Sequence, residues 1–438
     1  MAISVATTGA AQLERAQLAR ALVASGIGTT IEYYDFTLYN LMAALVLGPL
    51  FFPSRDALAS TLAVFGTVWV GFLARPIGAA IAGHFGDRIG RKAALVGALV
   101  VMGGASCLIG LVPTYAQIGI WGGILLVVLR FVQGLGISGE WGGAVLLAVE
   151  WGNRGKRGLY GSLPQLGLPA GLLLAYAAVA LTSLAPGVSW AWRLPFLFSA
   201  VLAAVGLYVR LGILETPVFA EVRARRRVER WPLLQLLRQS WRQLGSASLV
   251  AGGGAAASLI FTTFVLTYAT VRLRIPQLEV LRDVLIGSTV SLASILFWGR
   301  LSDAVGRKRM WVAGSLTLLV FIPIYWRLLD SRVGLLVLLA IVLSMVIRDM
   351  QNGPLAAFLA ETFTGRMRYS GAGLAFGLSS AGFGAVPLIA TQLLRSFHSS
   401  GAIAVFMAAV TLVTLSGSIG LRDGRARDLA AEYDSPLP

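Results

Sequence analysis

The sequence predicts an all-α membrane protein whose twelve transmembrane helices form two six-helix bundles. Three observations carry that prediction. Of 438 residues, 57% are hydrophobic and 13% charged, with a mean hydropathy of +0.77, where a soluble domain carries about 25% charged residues. Twelve apolar segments are each close to the length that crosses a bilayer. A ten-residue stretch also occurs twice, as GHFGDRIGRK at Gly83–Lys92 and GRLSDAVGRK at Gly299–Lys308. Both copies fit Gly-x-x-x-Asp-x-x-Gly-Arg-Lys, and Asp87 and Asp303 lie 216 residues apart, near half the chain. A dense charge cluster between two apolar spans is a tight turn at one membrane face. Two such turns half a chain apart indicate a duplicated membrane domain.

In chain order the apolar segments fall at 20–48, 58–86, 93–113, 118–150, 159–183, 193–213, 245–271, 280–299, 310–329, 333–360, 370–394 and 400–421. Residues 1–19 lack the apolar core of a cleavable signal, so the first span is expected to act as an uncleaved insertion signal. Lys and Arg crowd the loops after the even-numbered spans. The positive-inside rule then places both termini in the cytoplasm, and it accounts for the net charge of +16 without nucleic acid. The longest break, 214–244, holds Glu221, Arg223, Arg225, Arg226, Arg227, Glu229 and Arg230, followed by WPLLQLLRQSWRQL. It reads as a basic cytoplasmic linker with an amphipathic helix lying on anionic lipid. The linker separates an N-terminal bundle, 1–213, from a C-terminal bundle, 245–421, and residues 422–438 form a cytoplasmic tail.

Several chemistries are excluded. Cys107 is the only cysteine, lies in an apolar run and reads as a small core residue. The two histidines stand alone, without metal-ligand spacing. No nucleophile–base constellation and no cofactor motif is present, so neither an enzyme nor a cofactor is expected. The absence of a Gly-rich Lys-Ser/Thr loop excludes ATP as the direct energy source. The 51 glycines concentrate in the spans, as in GLGISGEWGGA (134–144) and GGGAAAS (252–258). Such faces let helices approach and slide.

A second repeat lies near the turns. Glu150 precedes Arg157 by seven residues and Glu361 precedes Arg368 by seven, with an offset of 211. Together with Asp87, Arg88, Arg91, Asp303 and Arg307, these residues can form charge networks at the cytoplasmic helix ends. The competing account is plain topology with solvated charges.

Seven charges fall within the bilayer interior: Glu32, Asp35, Arg75, Arg130, Glu140, Arg348 and Asp349. Each costs about 2.5–3.5 kcal/mol when unpaired at the centre, so they must pair or line a wet pathway. Glu32 and Asp35 are three residues apart and share a helix face. Arg75 lies twelve residues before Asp87, about 18 Å from the turn, near the depth of the carboxylates; Arg130 is about as deep. A carboxylate beside a cation stays ionised, and takes a proton once the cation turns to an anionic substrate. Glu32 and Asp35 are therefore expected to carry the coupled proton. Arg75, Arg130, Glu140, Arg348 and Asp349 are expected to meet the substrate, with the three arginines converging from both halves. Neighbours on a helix point about 100° apart, so Arg348 and Asp349 are not expected to be each other's partner. Purely structural ion pairs are the alternative for each residue.

IEYYDFTLY (31–39), FLARPIGAAIAGHFGDRIGRK (72–92), RFVQGLGISGEWGGAVLLAVE (130–150), GSLPQLGLPAG (161–171), WRLPFLFSA (192–200) and ETPVF (215–219) resemble the metabolite:proton symporter family of the major facilitator superfamily. The repeated turn resembles that superfamily's loop between the second and third helices and its weaker twin between the eighth and ninth. The resemblance runs from about 20 to 220 and returns over 287–310 and 353–390. It implies the major facilitator fold with a central substrate site in the bacterial inner membrane. It further implies proton-coupled uptake of a small carboxylate-bearing metabolite, protons and an organic anion being the partners, by a monomer. The charge networks would latch the halves together when the inner gate is closed. A proline/betaine-like zwitterion symporter, an exporter on the same fold and a sensor without net flux are the alternatives; the 17 residues after Leu421 are short for a signalling domain. The second half departs from the family. Span seven has only Tyr268 where paired tyrosines with a proline are usual. Span ten reads Asn352-Gly353-Pro354-Leu355 and Glu361-Thr362-Phe363-Thr364-Gly365-Arg366, and Arg348 and Asp349 stand where uncharged residues are usual. No particular substrate is therefore carried over.

Overall fold

The computed structural model describes residues 2–53, 57–183, 190–214 and 232–425, and all of its regular elements are helical. Twelve spans follow in order. They are α1 (Ala2–Met42, continued by a π-helical turn, Ala43–Leu47, and Gly48–Phe51), α2 (Ala57–Arg88), α3 (Arg91–Leu111) and α4 (Ile120–Trp151). Next come α5 (Arg157–Gln165 and Gly167–Ser183), α6 (Leu194–Leu211) and α7 (Trp241–Ser258, continued to Arg272 through two π-helical stretches). The last five are α8 (Gln277–Val305), α9 (Arg307–Asp330), α10 (Gly334–Thr362), α11 (Arg368–Phe383 and Val386–Phe397) and α12 (Ser400–Gly417). Among the described residues, eleven helices are long and apolar enough to cross a membrane. The remaining span is α1, whose apolar stretch is interrupted by Glu32 and Asp35.

The repeated turns explain their own glycines. Gly90 and Gly306 have φ of 135° and 109° and serve as the N-caps of α3 and α9. A side chain at that φ is strained, so glycine is required at both positions. Prolines 76, 323 and 354 sit inside α2, α9 and α10. Neighbouring helices re-satisfy the freed backbone groups in such bundles.

The halves meet where α2 packs along α11, α4 crosses α11, and α5 packs along α8 and α10. One core cluster spans this seam, with Trp141, Val145 and Val149 of α4 packed with Phe358 of α10 and Ala372 of α11.

Residues 215–231 of the expected linker and 426–438 of the expected tail lie outside the described residues. The helix Pro232–Gln239 packs one face against the protein. Pro232 and Leu236 are buried, and the helix packs on α2, α11 and the turn Gly365–Met367. Leu234, Leu237 and Trp241 remain exposed. The helix is thus amphipathic with the protein on one side. The start of the tail folds onto the second repeated turn: Lys308 Nζ donates to Leu421 O (2.8 Å) and Arg425 Nη1 to Ala304 O (2.6 Å).

Candidate functional site

Two layers of buried charge lie along the axis between the halves. The first is built by the repeated turns. Arg91 Nη1 pairs with Asp87 Oδ1 at 3.0 Å, across the turn that Gly90 makes. The Asp87 carboxylate also accepts the backbone N–H groups of Tyr369 (3.2 Å) and Ser370 (2.8 Å), in the first turn of α11. A carboxylate there meets unsatisfied donors and the positive end of the helix dipole. The second copy does the same in reverse. Asp303 pairs with Arg307 at 2.9 Å and accepts from Gly158 N (2.8 Å) and Leu159 N (3.1 Å) at the start of α5. Each half therefore caps a helix of the other.

The glutamates of the seven-residue repeat complete this layer across the seam. Glu150 is 3.5 Å from both Arg91 and Arg368, and Arg368 belongs to the other half. Glu361 lies 3.3 Å from Arg307 and within electrostatic reach of Arg157. Of the residues expected here, Arg88 is exposed.

The second layer lies deeper. The Arg75 guanidinium lies beside the edge-to-face pair of Phe36 (5.1 Å) and Phe72 (5.0 Å), and Nη1 donates to Ser380 Oγ of α11 at 3.2 Å. Arg130 lies 4.1 Å from the Tyr39 ring and 5.7 Å from the Phe36 ring, so two guanidinium groups share one phenyl ring. Arg130 donates to Gln133 Oε1, Gln133 Nε2 to Ser106 Oγ (2.6 Å), and Ser106 Oγ to Asp35 Oδ2 (2.7 Å). Ser199 Oγ donates to the other Asp35 oxygen at 2.5 Å. Glu32, on the same helix, is oriented differently. It is fully buried within electrostatic reach of Arg75, Glu140 and Arg210, and among the described residues neither of its oxygens receives a hydrogen bond.

A family model described as "Sugar (and other) transporter" matches residues 21–243. The inner membrane metabolite transport protein YhjE of Escherichia coli (strain K12) is 38% identical over 420 residues, covering 94% of this chain and 95% of that protein. The chain belongs to the sugar (and other) transporter family. The shikimate transporter of the same organism is 36% identical over 95% of this chain and 97% of its own, and the proline/betaine transporter of Salmonella typhimurium 29% over 95% and 86%. Among solved structures, the proton:xylose symporter XylE of the major facilitator superfamily superposes with a TM-score of 0.74. It is 17% identical and covers 93% of this chain and 95% of that one, a likeness of fold. The chain is therefore a multi-pass inner-membrane transporter of the major facilitator superfamily, not an enzyme. Both the resemblance read from the sequence and the twelve-helix fold are borne out.

The other two deep charge sets of the transporter are closed on themselves. Glu140 of α4 pairs with Arg210 of α6, which also donates to Leu95 O at 3.1 Å. Arg210, near the end of the sixth apolar segment, is not among the seven charges expected in the interior; the structure buries it. Gly28 of α1 makes the pair possible, because a Cβ there would overlap both the guanidinium and the carboxylate. In the C-terminal half, Arg348 reaches Asp349 Oδ1 through Nη2 (2.7 Å) and Nε (3.1 Å). Ser291 Oγ donates to Asp349 Oδ2 (2.6 Å) and accepts from Arg348 (2.9 Å). The expectation that these neighbours would not pair is wrong: the arginine stem is long enough to fold back across the 100° between them. Arg348 still lies within electrostatic reach of Tyr33, as does Arg75.

Gly28 supplies a test of this packing. Gly28→Ala should force the Glu140–Arg210 pair apart, and a broken buried pair costs about 3–5 kcal/mol. A thermal unfolding scan in detergent should show a much lower midpoint, and an unchanged midpoint would contradict the geometry.

Proposed function

We propose that this transporter carries a small organic anion inward together with protons, by alternating access, with the repeated turns and both termini on the cytoplasmic side. One observation carries the reading. The buried arginines Arg91, Arg210, Arg307, Arg348 and Arg368 each have a carboxylate partner. Among the described residues no ion pair is formed by Arg75 or Arg130, which flank Phe36. Two desolvated guanidinium groups with no carboxylate in salt-bridge contact favour a planar anion, and a carboxylate matches their donor fork. The shikimate transporter, 36% identical, supports this class, since shikimate is a carboxylate.

Glu32 is the proton carrier in this reading. No fixed donor competes with a proton for its oxygens, and Arg75 is the cation it loses when an anion arrives. Asp35, tied through Ser106 and Gln133 to Arg130, positions that arginine. Asp87, Arg91, Glu150 and Arg368, with Asp303, Arg307, Glu361 and Arg157, form the latch that holds the cytoplasmic gate shut. Charge sets the stoichiometry. A monoanion with one proton is electroneutral, whereas a dianion with one proton works against about 2.3 kcal/mol per 100 mV and needs a second proton.

The test is a panel of radiolabelled monocarboxylates, dicarboxylates and zwitterions offered to proteoliposomes under an imposed pH gradient. At least one organic anion should accumulate when the outside is acidic and stop doing so when a protonophore collapses the gradient. Accumulation of zwitterions alone would replace this reading with the proline/betaine-like one.

A further inference from the structure

The two helix-capping latches are not equivalent, and the difference is Tyr369. The repeat offset of 211 that relates Arg157 to Arg368 places Gly158 opposite Tyr369. Both residues offer a backbone N–H to the aspartate of the other half, but only Tyr369 carries a side chain. That side chain is completely buried in the N-terminal half. Its ring fills a socket of three glycines: a Cβ at Gly86 or Gly142 would press on ring carbons, and one at Gly143 on the hydroxyl. At the floor of the socket the hydroxyl donates to Gly139 O at 2.6 Å. The next residue is Glu140, whose carboxylate is paired with Arg210. One residue thus holds Asp87 of the latch with its backbone and the α4 backbone beside a deep ion pair with its hydroxyl.

We infer that Tyr369 is a positioning residue that ties the Glu140–Arg210 pair to closure of the cytoplasmic latch. Closing seats the ring between α2 and α4, and opening must withdraw it. The ionisable groups facing Glu140 are Arg210 from α6, Glu32 from α1 and Tyr369 from α11. Asp87 and Arg91 face Tyr369 from the latch side. Disruption of the Glu140–Arg210 pair therefore disturbs the stretch of α4 backbone that anchors the plug. The α5–α8 latch, with Gly158 at this position, has no such anchor. The inference deepens the proposed alternating-access cycle and rests on its assignment of the gate.

The experiment measures the ratio of latch-closed to latch-open transporter in nanodiscs, by distances between spin labels on the ends of α2 and α11, at one pH and without substrate or gradient. Tyr369→Phe keeps the ring in its socket and removes only the bond to Gly139. The closed-to-open ratio should fall about fivefold, the worth of one such hydrogen bond. Tyr369→Gly, which copies the twin position, should move the population further open. Glu140→Gln should also lower the ratio with Tyr369 intact, and adding it to Tyr369→Phe should lower the ratio by less than the two separate effects combined. An unchanged ratio in the Phe variant would reduce Tyr369 to packing, and additive effects of the two substitutions would remove the tie to Glu140. Because the readout needs neither anion nor gradient, a failure of the organic-anion reading leaves this result standing, and the reverse holds as well.

Discussion

Glu32→Gln should abolish accumulation driven by a pH gradient while exchange of anion between the two sides of the membrane continues. The amide mimics the protonated carboxyl, so the loaded carrier can still reorient, but no proton is bound or released per cycle. In wild type, proton and anion binding should strengthen each other by linkage, so anion affinity is expected to rise as pH falls. In the variant that slope should vanish. Accumulation should drop by about two orders of magnitude or more, the ratio that a gradient of 2 pH units sustains for one coupled proton. Asp35→Asn has a different signature. Ser106 and Ser199 already occupy the Asp35 oxygens, so the change should weaken anion binding through Arg130 and preserve the pH slope. Transport in proteoliposomes at several pH values separates the two, and undiminished gradient-driven accumulation in Glu32→Gln would refute the assignment.

Arg75→Gln should lower anion affinity about 100-fold, the worth of two hydrogen bonds to a charged group. Arg75→Lys should recover little of it, because an ammonium does not fork onto a carboxylate. Calorimetric titration of purified protein with the anion found in the panel measures both. Arg348→Gln provides the contrast: with Asp349 as its existing partner, its loss should appear mainly as lower stability. Equal affinity losses in the Arg75 and Arg348 variants would return Arg348 to the substrate site.

The fold was legible because the bilayer demands long apolar runs and the turns between them concentrate charge. Asp87, Arg91, Glu150 and their counterparts could be read from position alone, since the repeat spacing places them at helix ends. What spacing could not give is which half supplies each partner, as with Glu150 and Arg368. Depth estimates found seven buried charges but missed Arg210, because a residue at the end of an apolar run looks solvated until tertiary packing covers it. Helical geometry fixes where Cβ points, not where a guanidinium four bonds further out arrives, and the Arg348–Asp349 pair shows the difference. Neutral relays such as Gln133–Ser106 and the socket for Tyr369 leave little trace in the sequence, because serine and glycine are common in every span. The apolar seam residues Trp141 and Phe376, stacked at 3.9 Å across the halves, are likewise indistinguishable from ordinary core.

The central claim is that one buried carboxylate takes up a proton because an anion has claimed its arginine. Proton uptake on binding tests it directly: the anion is added to purified transporter in weakly buffered solution near neutral pH, with a pH-sensitive dye as the reporter. The account predicts net proton uptake on binding by the wild type, and none by Glu32→Gln at the same occupancy. Binding without proton uptake by the wild type, or equal uptake by both proteins, would contradict it.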